Sequence, residues 1–94
     1  MTLPDEFVTV FNTMLTHAKK KPKEFQLLSK TQFDYTHERD FFYGQKAGWF
    51  LGMLIGWWVG KFGIAPNAED FMEIIDMYQE HLDEIKRSVS NLKN

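Results

Sequence analysis

The side chains best suited to chemistry are three histidines, which stand far apart at positions 17, 37 and 81. Two of them have a carboxylate three residues on, His37 with Asp40 and His81 with Glu84, and this spacing puts both side chains of a pair on one face of a helix. Two ligands do not make a metal site, because even an open zinc site uses three protein side chains. The sequence therefore predicts a polar collar at His37 and a solvated pair at His81, with no metal and no cofactor.

The run from Gly56 to Lys61, GWWVGK, comes nearest to a nucleotide-binding motif. It is one residue shorter than the phosphate-binding loop GxxxxGK[ST], and Phe62 stands where that loop needs a hydroxyl group. The chain has no GxSxG or HExxH motif and no cysteine, and its net charge is −2. That charge gives no bulk electrostatic basis for binding nucleic acid. The sequence thus predicts neither an enzyme nor a nucleic-acid-binding protein, and a small enzyme or ligand carrier that uses the aromatic side chains is the weakest hypothesis.

The dominant pattern lies in residues 41–64, where five glycines follow one another at four-residue intervals and no charge occurs between Lys46 and Lys61. A glycine inside a helix costs roughly 1 kcal/mol relative to alanine. Regular spacing compensates when it forms a ridge of bare backbone that another helix approaches closely. We therefore predict a glycine-zipper helix. Its packing residues are Gly44, Gly48, Gly52, Gly56 and Gly60.

This central helix is predicted to cross a membrane. Its 24 residues would extend about 36 Å, which is enough for about 30 Å of hydrocarbon. Lys46 and Lys61 would then extend to the lipid headgroups, and an aromatic belt would flank them. The predicted membrane-interface residues are Lys46, Trp49, Trp57, Trp58 and Lys61. The alternative is a buried central helix of a soluble oligomer, because the strictly apolar part, 47–60, has only 14 residues.

The glycine ridge also limits how a neighbour can pack. Each four-residue step turns about 40° around a helix, so the full ridge sweeps about 160°. A parallel neighbour could not touch every glycine. The ridge requires either a partner that crosses steeply or two neighbours that meet different glycines in turn. The second arrangement favours a subunit inside a multi-chain assembly over a simple homodimer.

Residues 1–40 form the predicted N-terminal part, an amphipathic helix over 2–20 followed by a basic linker. Apolar residues at positions 7, 8, 10, 11, 14, 15 and 18 follow helical spacing. This helix would lie on a membrane, on a partner, or on the core of its own chain. The linker KKKPK at 19–23 would contact anionic headgroups or remain a solvated connection. Seven basic residues in 1–46, against four in 61–94, place the N-terminus on the cytoplasmic or matrix side of the predicted span.

Residues 65–94 form the predicted third part, a charged helix that begins after the stop signal GIAPN at 63–67. Gly63 is expected to end the central helix, and Asn67 is expected to cap the next one. Apolar residues then recur at alternating four- and three-residue intervals, which predicts a coiled coil or a helical hairpin. The predicted seam consists of Phe71, Ile75, Tyr78, Leu82, Ile85, Val89 and Leu92. Its partner could be another copy, another protein or residues 2–20.

The order of a glycine-bearing apolar segment, a break and a charged heptad helix resembles the small subunits e and g of mitochondrial ATP synthase. The order of elements resembles subunit e, and the run Gly60-Lys61-Phe62-Gly63-Ile64 resembles subunit g. The resemblance implies an all-α, single-span, non-catalytic accessory subunit of the mitochondrial inner membrane with an assembly or dimerisation role. Its partners would be other membrane-complex subunits and lipid, with the N-terminus on the matrix side. The alternative is a soluble, all-helical oligomeric interaction module.

Overall fold

A computed structural model describes residues 3–20 and 36–90, and within these ranges the chain forms helices and turns without strands. The helices are α1 (Asp5–Lys19), α2 (Glu38–Phe62), α3 (Ala68–Glu80) and α4 (Leu82–Ser88). The all-α prediction is confirmed for this part of the chain. The predicted linker residues 21–23 and the last seam residue, Leu92, lie outside the described ranges.

Helix α1 packs on the core of its own chain, which was one of the placements left open by its amphipathic pattern. Pro4 occupies the N-cap position and two acidic residues fill the first turn, where they favour the positive end of the helix dipole. The opposite face is polar and exposed, and its threonine hydroxyls donate to backbone carbonyls four residues earlier. The buried side chains are Phe7, Phe11, Leu15 and Ala18.

Helix α2 is the central element and packs along α1. It begins at Glu38, three residues before the predicted start, and ends at Phe62, two residues before the predicted end. One face is buried, and the side chains on it are Phe42, Ala47, Phe50, Leu54 and Trp58. Within the two described ranges, no helix combines the length and the apolarity that crossing a membrane requires.

The turn between α2 and α3 follows the predicted stop and start signals. Gly63 adopts the left-handed conformation at φ 76°, and its N–H donates to the carbonyl of Val59 at 2.8 Å. Asn67 Oδ1 accepts a hydrogen bond from the backbone N–H of Asp70 at 2.8 Å. Both the helix stop and the N-cap are therefore confirmed, since each residue supplies the partner that a helix end lacks.

The C-terminal segment is not the single continuous helix that the heptad pattern predicts. It breaks at His81, where the backbone N–H donates to Tyr78 O, three residues back, as in a tighter turn. Beyond the break, α4 packs against both α1 and α2. Ile74 on α3 and Ile85 on α4 are both fully buried in the shared core.

Aromatic side chains dominate the contact between α1 and α2. The ring centroids of Phe11 and Phe50 are 5.0 Å apart, with the rings edge to face. Phe7 lies 5.9 Å from Trp58 in a similar arrangement. Such pairs contribute about 0.5–1.5 kcal/mol beyond the area they bury, so this contact is well suited to hold the long glycine-rich helix in place.

Two glycines of the same segment should respond oppositely to alanine. Gly63→Ala should lower the free energy of unfolding by about 1–2 kcal/mol, because the left-handed conformation is unfavourable for a residue with a Cβ. Gly56→Ala is the matched control, since Gly56 lies inside α2 with open space where a Cβ would lie. It should raise the free energy of unfolding by roughly 0.5–1 kcal/mol. Urea denaturation followed by circular dichroism measures both, and shifts of the same sign would contradict the assignment of Gly63.

Candidate functional site

The five glycines at four-residue spacing lie together on the exposed side of α2. All five are exposed, whereas the buried residues occupy another side of the helix. At 100° per residue the centre of the glycine stripe lies roughly 170° from the centre of the buried face. We call this exposed surface the glycine face. It comprises Gly44, Gly48, Gly52, Gly56 and Gly60 together with Trp49 and Val59.

Nothing within the described part of the chain requires these positions to be glycine. A Cβ built at any of the five would meet no atom within 4 Å outside its own local helix. None of the five has a positive φ, in contrast to Gly63. Alanine would therefore fit at each position and would favour the helix. The missing side chains serve no close contact inside this bundle.

From Gly48 to Gly60 the surroundings of the glycines are apolar and partly exposed, whereas Gly44 is followed by the polar residues Gln45 and Lys46. Trp49 is 40% exposed and Val59 is 42% exposed, and both lie within about 60° of the centre of the stripe. Met53 and Phe62 are exposed to a similar degree on the flanks of the helix. Between Lys46 and Lys61 no charged residue interrupts this surface. The glycine face therefore offers bare backbone bordered by large apolar side chains.

The two lysines predicted to extend to lipid headgroups are both bonded to α1. Lys46 Nζ donates to the carbonyl of Ala18 at 2.7 Å and to that of Lys20. These carbonyls lie at the C-terminal end of α1, where a cation is favoured by the helix dipole. Lys61 Nζ pairs with Glu6 at 3.2 Å near the other end of α1, in an exposed position. In this structure the lysines therefore fasten α2 to its neighbour.

The three predicted interface tryptophans occupy different environments. Trp58 is buried, and Trp57 is half-buried with its ring 5.8 Å from that of Phe7. Both thus belong to the contact with α1. Trp49 alone is exposed, on the glycine face. The structure does not place the three in a common belt on the surface of the bundle.

The predicted heptad seam is divided between core and surface. Ile85 and Val89 are buried, while Phe71 remains 40% exposed. The half-buried members are Ile75, Tyr78 and Leu82. Ile74 replaces its neighbour Ile75 in the core, although the heptad spacing selects Ile75. The sequence is compatible with burial of either isoleucine, because positions 74 and 75 carry the same residue type and differ only in the helical face on which they lie.

Tyr78 ties α3 to α2. Its hydroxyl donates to the carbonyl of Ala47 at 2.9 Å, and its ring lies 5.7 Å from that of Phe50. Burial raises the pKa of the Tyr78 phenol above its ordinary value, and the nearby Tyr43 adds to that rise. The phenol therefore stays protonated at neutral pH and acts as a hydrogen-bond donor.

Glu84 is the centre of a small polar cluster that joins α1 to α4. Its carboxylate accepts a hydrogen bond from Lys19 at 3.1 Å and pairs with Nδ1 of His81. The hydrogen bond to His81, followed by that to Lys19, lowers the pKa of Glu84 below its ordinary value. The ring of His81 also stacks edge-on against Phe11. Among the residues that the structure describes, no three potential metal ligands lie together. The ion pair between Lys19 and Glu84 connects α1 to α4.

No family model, curated protein or solved structure matches the chain. The resemblance to the small ATP synthase subunits therefore stays a prediction.

The two lysines of α2 should differ in their contribution to stability. Lys46→Met should lower the free energy of unfolding by about 1–2 kcal/mol, because two carbonyls at the end of α1 lose a charged donor. Lys61→Met is the matched control and should cost less than about 1 kcal/mol, since it breaks only an exposed ion pair. Urea denaturation measures the difference. Equal effects would show that the bonds of Lys46 contribute no more than a surface contact.

The lowered pKa of Glu84 gives the bundle a pH dependence of known sign. The stabilisation that the Glu84 carboxylate provides is fully present above its pKa in the unfolded chain, near 4.5. It is lost as the pH falls through the lower pKa of Glu84 in the folded chain. Glu84→Gln should therefore reduce stability at pH 7 and lessen its decline on acidification. Denaturation midpoints across the acidic range measure this. Asp76→Asn, which changes an exposed acid on α3, is the control, and parallel curves for wild type and Glu84→Gln would contradict the assignment.

Proposed function

We propose that the protein is a non-catalytic helical assembly module that receives a partner helix on the glycine face of α2. One observation carries this proposal. The chain retains five glycines within one helix, although the space beside each would accept a Cβ. Together they cost on the order of 5 kcal/mol of helix stability. A partner that needs close contact with the backbone is a physical reason for that arrangement, and the bundle by itself supplies none.

The chemistry of the surface favours a helix as the partner. Bare backbone lets a second helix approach closely enough for dispersion contacts and weak Cα–H···O bonds. The border residues Trp49 and Val59 would then cover the sides of the crossing. Because the glycine stripe winds around α2, the partner would cross steeply or two helices would share the stripe.

Two settings provide such a partner. In the first, implied by the resemblance to subunits e and g, α2 is a membrane-spanning helix of an accessory subunit in a multi-protein complex of the mitochondrial inner membrane. In the second, the described bundle is a soluble module and the partner helix belongs to another protein or another copy. The packing of α1 and α4 on α2, together with the Tyr78 contact from α3, covers one face of α2 and supports the second setting. Alkaline extraction of native membranes distinguishes the two settings.

A second contact is proposed at the C-terminal segment. Large apolar side chains remain exposed around the turn between α2 and α3 and on the first turn of α3. They are Phe62, Ile64, Phe71 and Met72. Phe71 also belongs to the predicted heptad seam, so a coiled-coil contact through α3 would use this residue. These side chains lie at and beyond the C-terminal end of α2.

A bulky side chain on the glycine face should abolish association without lowering the stability of the fold. Gly52→Leu should abolish association through this face, because a leucine side chain holds a second helix away from the backbone. The same change should leave the bundle folded, or slightly more stable, because leucine favours the helix and its Cβ would meet no neighbouring atom within 4 Å. Light scattering after size exclusion gives the mass of the purified chain, in aqueous buffer and in mild detergent, and circular dichroism reports folding.

Thr13→Leu is the matched control, because it adds the same side chain to an exposed position on the polar face of α1. It should leave the measured mass unchanged. An assembly that survives Gly52→Leu at full mass would refute the glycine face as its contact surface. A wild-type chain that is monomeric in both solvents would exclude self-association, and the same pair of variants would then be compared for co-purification with a tagged candidate partner.

A further inference from the structure

A second surface feature lies away from the glycine face, between the first turn of α2 and the outer side of α4. It is an open depression in the surface with a volume of about 340 Å³. The described residues that line it are all exposed, and they are Arg39, Asp83, Lys86, Arg87 and Ser90. Three cationic side chains thus line one depression together with one carboxylate and one hydroxyl, in a chain whose net charge is −2.

The fold explains why these side chains converge. Residues 83, 86, 87 and 90 are spaced at i, i+3, i+4 and i+7, which places them on one side of a helical segment. Ile85 and Val89 are buried in the core, so the side that carries the charges faces outward. The third cation, Arg39, comes from a different helix, α2, and lines the depression together with them.

The cations on α4 are not neutralised by neighbouring carboxylates. Within residues 3–20 and 36–90, neither Lys86 nor Arg87 forms an ion pair, whereas Lys19 and Lys61 each pair with a glutamate. The C-terminal end of α4 would by itself favour basic residues. Arg39, in the first turn of α2, lines the same depression from a different helix and takes part in an interaction of its own.

We propose that this depression binds a phosphate group. Guanidinium groups match the oxygens of a phosphate in pairs, and an ammonium group adds a point charge. The hydroxyl of Ser90, which now donates to Arg87 O at 2.8 Å, could donate to a phosphate oxygen instead. Asp83 opposes the anion and keeps the affinity modest. The same chemistry fits a free phosphate or the headgroup of an anionic lipid, and the site is independent of the assembly role proposed above.

The first arm of the test uses inorganic phosphate and the full chain labelled with ¹⁵N, at constant ionic strength. Saturable shifts of the amide signals of residues 39, 83, 86, 87 and 90 are expected. Lys86→Gln and Arg87→Gln should each weaken the binding roughly fivefold, and Asp83→Asn should strengthen it by a similar factor. Lys61→Gln is the control, because it removes one positive charge roughly 33 Å away along α2, and it should leave the binding unchanged.

The second arm uses sedimentation with phosphatidylcholine vesicles, with and without phosphatidic acid. Binding that needs phosphatidic acid and is lost in Lys86→Gln and Arg87→Gln would identify the lipid headgroup as the source of the phosphate. Saturable binding of inorganic phosphate with no vesicle binding would identify a free phosphate. The proposal is overturned if neither probe binds. It is equally overturned if binding is unaffected by both substitutions on α4, or if Lys61→Gln weakens it as much as they do.

Discussion

The packing of the aromatic stripe of α1 on the inner face of α2 is the interaction on which the bundle depends. Phe7, Phe11, Phe50 and Leu54 are almost completely removed from solvent, and a large apolar side chain contributes about 1.5–3 kcal/mol when fully buried. This gain is large enough to offset the weak helix preference of a segment with five glycines. Helices α3 and α4 then complete the same core through Ile74 and Ile85, and their position is set by the surface that the first two helices form.

Because α1 covers one side of α2, the bundle has two sides of different character. The outer face of α1 is polar, and α3 and α4 carry many exposed acids. The glycine face has none of these groups and is bordered by Trp49 and Val59. An amphipathic helix hides its apolar side when it folds onto a core, whereas α2 is apolar on both sides and keeps one of them at the surface. This asymmetry is the physical basis of the assembly role proposed above.

Local signals in the sequence were sufficient for the turn between α2 and α3 and for α1. Gly63 and Asn67 act on atoms within four residues, and the apolar spacing of α1 identifies its buried stripe. The buried side of α2 could not be predicted, because residues 47–60 carry no charge and the hydropathy of the helix therefore does not distinguish one face from another. The hydrogen-bonding partners of Lys46 and Lys61 lie on α1, far away in the sequence. Hydropathy alone therefore predicted lipid headgroups as the partners of both lysines. Neither the burial of Ile74 in place of Ile75 nor the break at His81 follows from the heptad spacing, because that spacing describes one continuous helix.

The bonds of Lys46 have a consequence for motion. The last turn of a helix usually frays readily, because breaking the hydrogen bonds at a helix end costs almost no free energy. Here the end of α1 is held by a side chain of α2. A slip of α1 along α2 by one turn, about 5.4 Å, would leave both carbonyls without this donor. Lys46 thus fixes the register of the two helices, and the resistance of the last turn of α1 to fraying is expected to depend on the docking of α2.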